Sequence, residues 1–100
     1  MVSNDLFREL ALTFPETIEL PHFERASFRK KKKIFATFSK KERVANFKLT
    51  PSDQDFFCSI NKNMVYPVPN KWGKQGWTSA NMNIISPELI MEILTAAFNI

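Results

Sequence analysis

The sequence predicts an α+β domain, an antiparallel sheet of about five strands with helices packed on one face in a two-layer sandwich. Apolar residues recur at helical spacing near both ends of the chain. Through the middle they alternate with polar residues over three successive segments, the pattern of a meander with one buried and one wetter face. Two separate hydroxyl–proline–acid starts, Thr50-Pro51-Ser52-Asp53 and Ser86-Pro87-Glu88, open further helices. The 100 residues fit one domain, residues 1–100, large enough to bury a core without disulfide or metal staples. With 44% hydrophobic residues and only two glycines, the basic stretch belongs to an ordered domain rather than a disordered tail.

The first helix is expected over Asn4–Phe14. Leu6, Phe7, Leu10, Ala11 and Phe14 share one face, Ser3 or Asn4 caps it, and Pro15 stops it. A turn-rich passage then runs through Pro21 to a first strand near Phe23–Arg29. Strict alternation places Ala26, Phe28, Ile34, Ala36, Phe38, Ala45, Phe47 and Leu49 toward the helices. Arg25, Arg29, Phe35 and Lys48 then lie on the opposite face. Turns fall at Lys30–Lys33 and Lys40–Arg43. The helix opened by Thr50 carries Phe56, Phe57 and Ile60 and ends around Asn61–Asn63. Met64-Val65-Tyr66 precedes an extended edge piece between Pro67 and Pro69. A loop holding both tryptophans and both glycines, Trp72–Trp77, leads into a strand through Met82. The last helix carries Leu89, Ile90, Ile93, Leu94, Ala97 and Phe98 as its apolar stripe.

Charge is segregated along this framework. Ten of the fourteen Lys and Arg residues lie between Arg25 and Lys48 with one acid, Glu42, leaving four basic and nine acidic residues elsewhere. A field so concentrated attracts polyanions. The candidate nucleic-acid contacts are therefore Arg25, Arg29, Lys30, Lys31, Lys32, Lys33, Lys40, Lys41, Arg43 and Lys48. Hairpin tips can reach phosphates, and Lys and Arg neutralise them with release of counterions. Lysines also protect sheet edges from aggregation, but four in succession exceed that need.

No catalytic constellation stands out. The lone Cys58 sits beside Phe56 and Phe57 and reads as an inert core residue, far in sequence from the single histidine, His22. His22 reads as a hydrogen-bonded residue where the first strand begins. Neither a metal-ligand cluster nor a glycine-rich phosphate loop is present, so no metal, cofactor or enzymatic activity is expected. A single cysteine fits a reducing cytoplasm. No apolar run approaches the ~20 residues needed to cross a bilayer, and Met1–Leu12, with Asp5 and Glu9, lacks a signal-peptide layout.

Leu12–Pro15, Pro21-His22, Phe28-Arg29, Lys33-Ile34-Phe35-Ala36 and Trp72 through Gly76-Trp77, in this order, resemble the MmcQ/YjbR family of small bacterial proteins. The resemblance implies a fold like bacterial frataxin or a secretion chaperone, and a DNA-binding role through a double-wing motif. Iron handling of the frataxin kind is disfavoured, because the first helix offers only Asp5 and Glu9 and the strands are basic. Relatives often have glycine in the first hairpin turn. Its absence from Lys30–Lys33 argues against a tight two-residue turn here. The partner expected is nucleic acid, foremost duplex DNA, bound without catalysis and with weak sequence preference. The alternative is a protein-interaction module, monomeric or weakly homodimeric, that docks an acidic partner. An apolar patch beside the basic strip would favour that alternative.

Overall fold

A computed structural model describes residues 1–100. Its elements are α1 (Asn4–Ala11), β1 (Thr17–His22), β2 (Arg25–Lys30), β3 (Lys33–Ser39), β4 (Val44–Lys48), α2 (Pro51–Cys58), β5 (Val65–Pro67), β6 (Trp77–Asn81) and α3 (Pro87–Phe98), with a single 3-10 turn at Gly73–Gln75. The strands form one six-stranded sheet in the order β1-β2-β3-β4-β6-β5, antiparallel throughout. Three helices and an antiparallel sheet make the fold α+β, as the periodicity predicts.

Each helix begins where its capping residue stands. Ser3, Thr50 and Ser86 accept hydrogen bonds from the backbone N–H groups of Leu6, Asp53 and Leu89, and Pro51 and Pro87 occupy first-turn positions. Two helices are shorter than expected. α1 closes at Ala11 rather than Phe14, and α2 at Cys58, leaving Phe56 and Ile60 exposed.

The core lies between the helices and one sheet face. Phe7 of α1 is fully buried among Phe28, Phe38 and Phe47, with ring centroids 5.7, 5.1 and 6.0 Å away. A second cluster joins Phe14, Phe35 and Phe98. Burying a side chain of this size contributes about 1.5–3 kcal/mol, so these two clusters hold the layers together.

Three expectations need correction. The sixth strand is β1, which occupies the passage read as turns. It is an edge strand, where Pro21 costs no ladder bond and Ile18 and Leu20 remain exposed. The second correction concerns Ile34 and Phe35. A bulge interrupts the β2–β3 register, which passes from Phe28 opposite Ala36 to Arg29 opposite Ile34. Phe35 is the extra residue and packs on the helix side against Phe14 and Phe98, whereas Ile34 lines the open face. The third is the turn after β2. Lys30 pairs with Lys33, so Lys31 and Lys32 alone make the turn, at φ 50° and 72°. Two positive φ values mark the tight type I′ hairpin that the missing glycine argued against.

Candidate nucleic-acid interface

The meander separates the basic residues into two groups at opposite ends of the sheet. β3 joins the two turns, and its seven residues span on the order of 20 Å. At one end stand Lys30–Lys33, with Arg29 and Lys48 on the strands behind them. Lys31, Lys32 and Lys33 are exposed. Lys30 lays its ammonium 4.2 Å above the ring of Phe98, and Lys48 donates to the backbone carbonyl of Gln75. Arg29 donates to the Ser27 hydroxyl. None of these six cations has a carboxylate partner, since the chain's two ion pairs are Arg8–Glu19 and Arg25–Glu42.

At the other end the charge is largely committed. Arg25 pairs with Glu42 at 3.0 Å. Arg43, expected at an exposed tip, points back into the molecule instead. Its guanidinium donates to Asn83, Asn4 and the carbonyl of Val2, tying the N-terminal segment and the turn after β6 to the start of β4. Only Lys40 and Lys41 remain exposed cations there, and neither forms an ion pair. The ten candidates thus divide into a free group around the β2–β3 turn and a smaller, partly neutralised group around the β3–β4 turn.

Between the two ends the open sheet face forms a groove of about 1040 Å³. Register explains its depth. Leu20, Ser27, Thr37, Asn46, Ser79 and Tyr66 stand opposite one another in a single row across all six strands. Small polar side chains fill the middle of that row, so the larger residues on either side rise above it. Ser27, Thr37 and Ser79 are therefore buried although no helix covers them. Trp77 and Trp72 flank the groove, and the β1–β2 tip with His22 and Phe23 closes its far end.

The tryptophan loop is held rigidly. A side chain on Gly73 would meet the Val68 carbonyl oxygen at 2.1 Å, and one on Gly76, where φ is 103°, would meet the Leu49 carbonyl oxygen at 2.0 Å. Gln54 of α2 donates to the carbonyls of Gly73 and Trp77. The sequence showed the aromatic loop but not the groove, because the groove depends on alignment across strands.

Cys58 is half-buried in the last turn of α2, and burial together with the nearby Asp55 carboxylate pushes its thiol pKa up. The thiolate needed for nucleophilic attack is thereby disfavoured. His22 stacks edge-on against Phe23 at 4.9 Å, at the end of β1 and not at the start of a strand. No three His, Cys, Asp or Glu side chains gather where they could hold a metal ion. No helix is long and apolar enough to cross a membrane.

What the geometry defines is a two-layer α+β domain whose sheet has one face closed by helices and one face open and polar, with cations lacking carboxylate partners gathered at one end of the sheet. The chain belongs to the YjbR family, whose model matches residues 12–100. Among solved structures it is similar to protein DR2400 of Deinococcus radiodurans, which carries a DUF419 domain. The TM-score is 0.83 at 18% identity, over 98% of this chain and 77% of that one, a likeness of fold. Curated proteins give no match to the chain.

Proposed function

We propose that this chain is a non-catalytic DNA-binding domain that contacts duplex phosphates through the β2–β3 turn. The observation that carries the reading is the cation group Arg29, Lys30–Lys33 and Lys48, which has no carboxylate within the molecule to neutralise it. A polyanion supplies that charge, and phosphate contacts of this kind carry little sequence information. The β3–β4 turn stands too far away to share one groove with it, since about 20 Å along β3 exceeds the ~12 Å width of the major groove. Lys40 and Lys41 then add a weaker, separate contact.

Fluorescence anisotropy with a duplex oligonucleotide over a salt series tests the proposal. With four to six phosphates neutralised, log K falls with log salt at a slope of roughly −4 to −5. The Lys31→Glu/Lys32→Glu double variant binds all sequences more weakly and with a flatter slope. Absence of binding at low salt, or equal binding by the variant, removes the proposal.

A specific observation favours a second reading. Ile18, Leu20 and Phe23 are exposed, Phe23 at 94%, on or beside the edge strand that neighbours Arg25 and Arg29. Apolar surface next to basic surface suits a protein-interaction module that docks an acidic partner or a second copy. Capture of an acidic partner that survives high salt, with no affinity for duplex, would put this reading first.

A further inference from the structure

The groove on the open sheet face has chemistry that duplex phosphates do not use. Its floor is neutral: Thr37, Ser39 and Asn46 line it, flanked by the buried Ser27, which donates to the Leu20 carbonyl, and the buried Ser79, which donates to the Asn46 carboxamide oxygen. The Thr37 hydroxyl and the nitrogen of the Asn46 carboxamide lie between them in the row and have no protein partner. On the wall, one guanidinium nitrogen of Arg25 is buried without a hydrogen-bond partner while the other holds Glu42. A desolvated N–H left unpaired is costly, so the side chain gains by turning toward an acceptor brought into the groove. Trp72 and Trp77 line the groove with indoles, Trp72 half-exposed at 49% with the Lys71 ammonium 5.7 Å from its ring.

Flat aromatic walls, a neutral donor–acceptor floor and an arginine that lacks an acceptor describe a site for a planar heteroaromatic ring with polar edges. We propose that this groove binds an unpaired nucleobase, stacked on Trp72 or Trp77 and read along its edge by Thr37, Asn46 and Arg25. The identity of the natural ligand rests on the nucleic-acid reading above, but the groove's chemistry is independent of the lysine turn. The lysine turn lies at the end of β3 where the strand begins, whereas the floor of the groove lies at its middle. A base unstacked from a bound strand can therefore enter the groove while the backbone is held at the turn. Base–aromatic stacking tolerates any base, so modest preference among the four is expected.

Tryptophan fluorescence of the full chain, titrated with deoxynucleoside monophosphates and separately with 2-deoxyribose 5-phosphate, tests this directly. Saturable quenching by the nucleotides and none by the sugar phosphate is the expected result. Trp72→Ala should weaken nucleotide binding by about tenfold, and Asn46→Leu, which removes the floor donor and the acceptor of Ser79 without touching the loop, should weaken it as well. A single-stranded oligonucleotide carrying 2-aminopurine should show the same losses, with the salt dependence of duplex binding unchanged in both variants. Equal quenching by the sugar phosphate, or no loss in either folded variant, overturns the inference. If duplex binding and its dependence on Lys31 and Lys32 fail while nucleotide quenching persists, the duplex reading falls and the groove stands. The reverse pattern leaves the duplex reading and removes the groove.

Discussion

The β2–β3 and β3–β4 turns are nearly matched in sequence, Lys30–Lys33 against Lys40-Lys41-Glu42-Arg43, and opposite in what they do with their charge. In the first, a two-residue hairpin turns the chain so tightly that its central lysines project with nothing to bind inside the molecule. In the second, a longer turn folds back on itself. Glu42 donates its backbone N–H to the Ser39 hydroxyl and offers its carboxylate to Arg25, while Arg43 joins three acceptors behind the sheet. Counting cations along a sequence treats these turns as equals. What separates them is whether each charge already has a partner.

The comparison breaks most directly on nucleic-acid affinity. Lys31→Glu/Lys32→Glu should lower duplex affinity on the order of a hundredfold at low salt, and Lys40→Glu/Lys41→Glu only several-fold, because lost phosphate contacts dominate binding. Equal losses, measured side by side by anisotropy, would mean that the two turns act together. Stability should show the reverse ranking. Arg43→Ala removes charge-assisted hydrogen bonds to Asn4, Val2 and Asn83 and should cost about 2–3 kcal/mol in urea unfolding, with duplex affinity almost unchanged. A variant as stable as wild type would show that the strut does not hold the N-terminal segment.

Smaller effects sharpen the contrast. Lys31→Asn/Lys32→Gly places the residues preferred by a type I′ turn at the tip and should raise stability by about 1 kcal/mol, read as a higher urea midpoint, while weakening DNA binding. Least of all, Glu42→Gln releases Arg25 from an exposed ion pair. Stability should change by well under 1 kcal/mol, and duplex affinity should rise slightly if Arg25 then reaches a phosphate. No rise at low salt would leave Arg25 outside the interface.

Much of the fold was legible because period-two alternation and capped helix starts are local signals. Ala26, Phe28, Ala36, Phe38, Ala45 and Phe47 pack toward the helices as alternation requires, with Arg25, Arg29 and Lys48 opposite. Alternation failed at Ile34 and Phe35, where nothing local announces the extra residue. The bulge persists because it seats the Phe35 ring beside Phe14 and Phe98, a tertiary gain that outweighs an interrupted ladder. β1 was hidden for a different reason. Ile18-Glu19-Leu20 does alternate, but its apolar residues face the open side while Glu19 meets Arg8 of α1, inverting the usual sense. Of the candidate site, the free lysines were readable, whereas the anchoring of Arg43 and the groove floor rest on partners 33 to 41 residues away in sequence.

Five residues other than glycine hold positive φ: Glu16, Phe23, Lys31, Lys32 and Arg43. Four of them sit at the tips of the first three hairpins, places where many chains use glycine and present no side chain at all. Each such backbone costs on the order of 1 kcal/mol or more, a large fraction of the reserve that keeps a domain of this size folded. The chain thus retains side chains at its corners at the expense of ruggedness. Selection for heat tolerance alone should replace Glu16 and Phe23 by Asn or Gly early, and whichever corner resists replacement in such an experiment marks a side chain the protein's role depends on.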